Sequence, residues 1–320
     1  MSNEPRPVTA VLAEAIEAAA YAPSVHNTQP WRWRIDGDDL LLYADRDRQL
    51  VVSDPDGRML TVSCGAALAY ARTALAAEGY GCTVETMPEP ADPDLLARAS
   101  VTGRVPVDAD SMRLFQTALI RHTDRRPVSD TPVPPGAVDA LRAVAESEHV
   151  SLHHVPADRI PDLAAAVDRA QRVAADDPAA RAEMARWAGG DRPDHSGVPN
   201  SAIPAATPQT TVPARDFGHP GTLQVGAGHD RFAHYLVLFG PGDEPADWLA
   251  AGEALSACWL AAIEHGLSLV PISAAVEVPA TREAVRRLIG DLGHPYLVMR
   301  IGVPDPEHPG PPRTPRREPA

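Results

Sequence analysis

The stretch Ala22-Pro23-Ser24-Val25-His26-Asn27-Thr28-Gln29-Pro30-Trp31 reads as a stiff loop set between a helix and a strand. Upstream, Val8, Val11, Leu12, Ala15, Ile16 and Ala19 recur at helical spacing, which predicts an amphipathic helix over 8–22. Pro23 stops it, because proline cannot continue a helix and disfavours helical geometry in the residue before it. Between the two prolines, Ser24, Asn27 and Gln29 bring side chains that both donate and accept. Such a rim suits the edge of a planar heterocycle with mixed donors and acceptors. The alternative is a loop whose polar groups bond its own backbone.

Downstream, Trp31–Ile35 and Leu40–Tyr43 form a hairpin pattern across the Asp36–Asp39 turn. An Ala-rich helix is expected over 57–78, ended by Gly79, with strands near 82–85 and 97–101. A second series follows: helices near 111–120 and 136–145, a strand near 150–155 and helix over 161–187. Residues 189–228 are rich in Pro, Gly and Ser and lack periodicity, which implies a lid, an excursion or disorder. Then come a strand over 233–239, a helix over 248–265, strands near 267–272 and 296–303, and a Pro/Arg tail over 304–320. Setting Gly65 against Gly252 also pairs Ala67 with Ala254, Leu68 with Leu255, Ala74 with Ala261 and Gly79 with Gly266. The expectation is an α+β unit used twice, rather than a doubly wound sheet.

Length and composition narrow the function. A chain of 320 residues suggests about two domains and a substantial core. Its formal charge of −14 argues against nucleic acid and anionic membrane as partners. There is no lysine: all 29 basic residues are arginine. That removes Schiff-base chemistry and the phosphate-loop lysine, and leaves the guanidinium fork to hold any phosphate through side-chain charge. Cys64, Cys82 and Cys258 show no metal or disulfide spacing. The N-terminus, Met1–Val8, is polar and unlike a signal peptide, and the apolar runs look short for a membrane span, so the cytoplasm is the expected compartment.

The decapeptide resembles the APSxxNxQPW signature of the flavin-dependent nitroreductase superfamily. With Asp54-Pro55-Asp56-Gly57-Arg58 and Ser63-Cys64-Gly65-Ala66-Ala67-Leu68, it is similar to the Acg-type branch, and the resemblance runs over most of the chain. It implies an FMN site whose rim is formed by Pro23, Ser24, Val25, Asn27 and Gln29. The basic run Arg121-His122-Thr123-Asp124-Arg125-Arg126 resembles the RxSxR-type motif of that superfamily, with threonine for serine. By that likeness Arg121 contacts the phosphate, Thr123 hydrogen-bonds nearby, His122 flanks them and Arg125 faces the pyrimidine edge. Taken alone, the run is a solvated face.

Val270-Pro271-Ile272-Ser273-Ala274 matches the superfamily stretch along the isoalloxazine, so Pro271, Ile272 and Ser273 are cofactor candidates. Many members carry Glu-Gly where Ser273-Ala274 stand, and a buried strand end is the alternative. Arg316, in the tail, best fits the basic residue that reaches back to the phosphate, with Arg313 or Arg317 as alternatives and a disordered basic tail as the other reading.

The first half, 1–110, carries the APS loop; the second, 111–320, carries the arginine motif, the 189–228 segment and the tail. A fused, nitroreductase-like pseudo-dimer with one FMN per chain follows. The resemblance implies NAD(P)H-dependent reduction of nitroaromatic or quinone-like acceptors, with no catalytic side chain, since hydride chemistry at flavin N5 needs none. A flavin-sequestering or sensing protein with the cofactor under a lid is the rival, and a flavin oxidase tailoring a metabolite is a third reading. Small-molecule electron donor and acceptor are the expected partners, in a monomer with internal pseudo-two-fold or a homodimer.

Other constellations carry less. His149, His153 and His154 fall on a strand pattern that splays adjacent residues apart, against a metal site. Gly226-Ala227-Gly228 lacks the third glycine of a dinucleotide fingerprint, and Cys258 sits on an apolar helix.

Overall fold

Gly65 and Gly252 let two helices meet backbone to backbone at the centre of the molecule. A computed structural model describes residues 6–190, 192–226, 228–307 and 310–318. Met1–Pro5 at the polar N-terminus, Asp191 and Ala227 of the irregular stretch, and His308, Pro309, Pro319 and Ala320 of the tail lie outside the described residues. In chain order the elements are α1 (Val8–Ala19), β1 (Trp31–Asp36), β2 (Asp39–Ala44), α2 (Arg58–Ala77), β3 (Tyr80–Thr86), β4 (Leu95–Arg104) and α3 (Ala109–Ile120). There follow α4 (Ala137–Ser147), β5 (Ser151–His154), α5 (Ile160–Asp176), α6 (Pro178–Trp187), β6 (His234–Gly240), α7 (Pro245–Glu264), β7 (Ser268–Ile272), α8 (Ala274–Glu277), α9 (Pro279–Leu288) and β8 (His294–Gly302).

The architecture is a mixture of helices with two four-stranded sheets, ordered β1-β2-β4-β3 and β5-β6-β8-β7. Every neighbouring pair is antiparallel. This is α+β and not doubly wound, as the sequence implies. The helices α2 and α7 each have 20 residues, and both are followed by a glycine at positive φ, Gly79 at 76° and Gly266 at 71°. There the left-handed turn ends the helix and feeds the next strand.

α1, α2 and the first sheet share one apolar core, to which Leu249 and Leu260 of α7 contribute. α4, α7 and the second sheet share another, which Met59 and Val62 of α2 enter. A third core fills the far face of the second sheet beneath α5 and α9. Accordingly β8 is buried along its length, whereas β1 alternates and turns Arg32, Ile35 and their neighbours to different sides.

Three expectations change. The helix read over 161–187 breaks at Asp177, whose side chain accepts from Ala179 N to start α6, with Pro178 in the first turn. The helices α8 and α9 were not anticipated, and Pro279 at the start of α9 reads more readily as a loop. Finally, α2 is long and apolar enough to cross a membrane by length and composition, yet 78% of that window is buried inside the protein. Its apolarity is that of a core helix.

Candidate functional site

The loop after α1 is held by bonds from distant parts of the chain. His26, Asn27 and Gln29 take φ of 45°, 55° and 50°, a region that costs non-glycine residues about 1–3 kcal/mol each. Ser63 Oγ on α2 accepts from Val25 N at 3.1 Å, and Ser24 Oγ accepts from Gln29 N at 3.0 Å. Asn27 Nδ2 donates to Gly197 O at 2.9 Å and Pro315 O at 3.1 Å. Gln29 Nε2 donates to His195 O at 3.0 Å, and its Oε1 accepts from Arg317 N at 2.9 Å. The polar side chains therefore fasten the loop to the irregular segment and the tail.

Beside this loop lies a cavity with about 880 Å³ of space between atoms, part of it open to solvent. Pro23, Ser24, Val25, Asn27, Arg121, Thr123, Arg125, Pro271, Ser273 and Arg316 line it. Three candidates are placed elsewhere. Gln29 is buried behind the loop in the bonds just described. His122 is exposed, its ring toward Ile120 O, because alternate residues of an extended segment face opposite sides. Ile272 lines an adjoining cavity of about 610 Å³. The wall also includes residues that sequence reasoning missed: His26, Met59, Ser63, Leu255, Trp259, Thr314, and Val198, Arg215 and Phe217 of the irregular segment.

One end of the cavity is strongly cationic. Arg121 is buried, donates from Nε to Tyr70 Oη at 2.8 Å and from Nη2 to Tyr21 O at 3.2 Å, and lies 4.5 Å over the Trp259 ring. Arg316 donates to Asn27 Oδ1 at 2.9 Å and to the same Tyr21 carbonyl at 3.3 Å. Arg121 Nη1 and Arg316 Nε are buried without a hydrogen-bond partner among the described residues. Burial, followed by the Arg121 charge, brings the Arg316 guanidinium down to about 9. Two confined cations with spare N–H groups form a site for an anion.

Two further arginines of the lining have partners. Arg125 donates to Ala202 O at 3.1 Å and lies 5.3 Å over Phe217; burial, then Arg215, lowers it to about 10. Arg215 forms a close ion pair with Glu277 and approaches His26 Nε2 and Ser273 Oγ, both at 3.3 Å. Burial and the Arg215 charge push His26 down to about 3, so its ring is neutral and Nε2 accepts.

The arginine segment is seated from β8. Arg300 donates to Asp124 O at 3.2 Å and Arg126 O at 2.7 Å, and pairs at 2.8 Å with Asp230. Asp230 in turn accepts from Val128 N at 2.8 Å. These bonds fix the backbone from which Arg121 and Arg125 project.

Asp54 accepts from Met59 N at 3.0 Å and Leu60 N at 2.9 Å and so satisfies two free amides in the first turn of α2. Burial raises its carboxyl from 3.8 to about 6, against the downward pull of the Leu60 and Met59 amides. A carboxyl raised by folding binds its proton more tightly in the folded chain, so this contribution to stability falls as pH rises between those two values. In Asp54→Asn that slope is absent: the variant's unfolding free energy, relative to wild type, should rise with pH across the window. A difference that stays constant in denaturant melts from pH 4 to 7 would contradict it.

No family model matches the chain. A Mycobacterium tuberculosis protein provisionally named an NAD(P)H nitroreductase is 38% identical over 304 residues, 94% of this chain and 87% of that protein. A second, with the same provisional name and called acg, is 35% identical over 316 residues, covering 97% and 94%. An uncharacterised protein of the same organism is 31% identical over 315 residues, covering 96% and 91%.

Proposed function

The chain belongs to the Acg-type nitroreductase family, and from that premise we propose an FMN-binding, NAD(P)H-dependent oxidoreductase acting on nitroaromatic or quinone-like acceptors. The observation that carries this reading is the buried pair Arg121 and Arg316 in the wall of the cavity, each with an N–H group that has no hydrogen-bond partner among the described residues. The residues fit the cofactor. Arg121 and Arg316 would hold the phosphate as guanidinium forks, with Thr123 beside them. Arg125 would face the pyrimidine edge, where its charge favours electron density on the ring. Trp259, Leu255, Val25 and Pro271 supply apolar walls that exclude water. When bound, the flavin would take hydride from NAD(P)H and pass electrons to the acceptor. Ser273 accepts from Arg215 and Ala274 opens α8, so a hydroxyl held by a guanidinium would stand beside the ring.

We read the molecule as a fused dimer, with 1–110 as one half and 111–320 as the other. The matching strand orders support this. So does the close contact of Gly65 and Gly252, because equivalent residues meet at a two-fold axis. Only one of the two sites keeps both an APS loop and an arginine motif, which gives one FMN per chain. The partners are a small-molecule donor and acceptor, and the chain works as a monomer with an internal pseudo-two-fold or as a homodimer.

A second reading, flavin sequestration with little turnover, is favoured by Val198, Arg215 and Phe217, which close the cavity from the irregular segment. Steady-state NADPH oxidation with a nitroaromatic acceptor separates the two. The reductase reading expects turnover above free FMN at the same concentration. No excess rate, with flavin bound, would remove it and leave the sequestering one.

A further inference from the structure

Arg215 stands in a wall shared by two cavities. On one side is the proposed flavin cavity; on the other is a chamber of about 1020 Å³ between α5, α6 and the irregular segment. His26, Arg215 and Phe217 face both, and Glu277 faces the second. The segment carrying Arg215 has a narrow stem. Pro204 bridges Leu223, Ala205 N donates to Leu223 O at 2.8 Å, and Leu223 N donates to Ile203 O at 3.0 Å. The ends of 205–222 thus meet at one point, and the segment between them packs back on the protein.

Beyond the stem, Val212 and Phe217 are buried in two apolar clusters, and the polar hold on the loop is concentrated at Arg215. Gln171 on α5 brackets Arg215, donating to Ala214 O at 3.0 Å and accepting from Asp216 N at 3.0 Å. Between these bonds the guanidinium reaches the carboxylate of Glu277 on α8, with His26 and Ser273 beside it. The Glu277 side chain is 8% exposed and that of Arg215 16%, so the pair is shielded from water. Between the stem and Arg215, Ala206, Thr207, Gln209 and Thr211 are exposed, while Pro208 and Val212 are buried.

We propose that the Arg215–Glu277 pair is a latch that keeps the 205–222 loop shut between the two cavities, and that its release admits ligands to the inner one. The loop then swings about its stem at Pro204 and Leu223 and carries Arg215 and Phe217 out of the wall. That the inner cavity holds flavin rests on the function proposed above; the latch itself does not.

Hydrogen–deuterium exchange of the full chain, without added flavin, reads the latch directly. In Glu277→Gln, amides of 205–222 should exchange at least about tenfold faster than in wild type, because a buried ion pair has lost its charge complement. Amides of α2 and α7 should be unchanged. Equal exchange in the loop would overturn the latch. Binding of FMN supplies a second reading: a gate speeds association and dissociation together and leaves Kd near its wild-type value. Faster dissociation with unaltered association would show Arg215 to be only a ligand contact, and would also overturn the latch. Should Glu277→Gln loosen α2 and α7 as well, Arg215→Met is judged by the same criteria. A wild-type protein that binds no FMN defeats the flavin reading, while exchange still decides the latch.

Discussion

Replacing Gly252 with alanine should lower the unfolding free energy by about 3 kcal/mol, the upper end for overpacking, because a backbone contact leaves no room to relax. Propensity alone predicts the opposite sign, since alanine in a helix interior is favoured over glycine by about 1 kcal/mol. Packing wins here. A Cβ on Gly252 would stand 2.0 Å from Val62 O and 2.9 Å from Gly65 Cα, and these are backbone atoms of α2. One on Gly65 would stand 2.0 Å from Leu249 O, so Gly65→Ala should cost a similar amount. To admit the methyl, α2 and α7 must move apart, which opens the two cores that exchange Leu249 and Leu260 for Met59 and Val62. At about 2–4 °C per kcal/mol the midpoint should fall by about 6 °C or more in a thermal melt. A variant as stable as wild type would show that the helices do not approach this closely.

The second large effect is on binding. Arg121→Met should weaken FMN about 100-fold, the loss expected when charge-assisted hydrogen bonds to a phosphate are removed. Riboflavin, which has no phosphate, should bind variant and wild type about equally. Arg121→Lys should recover only part of the loss, because an ammonium keeps the charge but cannot form the planar fork. The chain uses no lysine anywhere, and Arg121 already spends Nε on Tyr70 and Nη2 on Tyr21, leaving Nη1 for a ligand. Fluorescence titration of flavin-free protein measures each combination of protein and flavin. Equal loss of riboflavin and FMN affinity would mean that Arg121 shapes the cavity without holding the phosphate.

The elements legible in the sequence were those with strong local signals. The hairpin β1–β2 came from alternation around a polar turn, and α2 and α7 from long Ala-rich runs ended by Gly79 and Gly266. The likeness of those two helices was visible; that Gly65 and Gly252 touch was not, because pairing by sequence says nothing of contact. Gln29 was read toward a ligand, but its partners, His195 and Arg317, lie far along the chain, where no local pattern reports them. His122 could have been set aside from the alternation of Arg121, Thr123 and Arg125, which puts the intervening side chain on the other side. Arg215 and Phe217 had no sequence signal. They lie in an aperiodic stretch whose placement depends on Gln171, Glu277 and a small apolar cluster with Val198 and Ile203.

The central claim is a single flavin site built from both halves of one chain, and FMN stoichiometry tests it most directly. Flavin-free protein titrated with FMN, followed by flavin fluorescence, should saturate at one equivalent per chain. Two equivalents would mean that both halves complete a site and that the division of the APS loop and the arginine motif has no consequence. No saturable binding would mean that the Arg121–Arg316 pair serves another anion, and the account of function would fail with it.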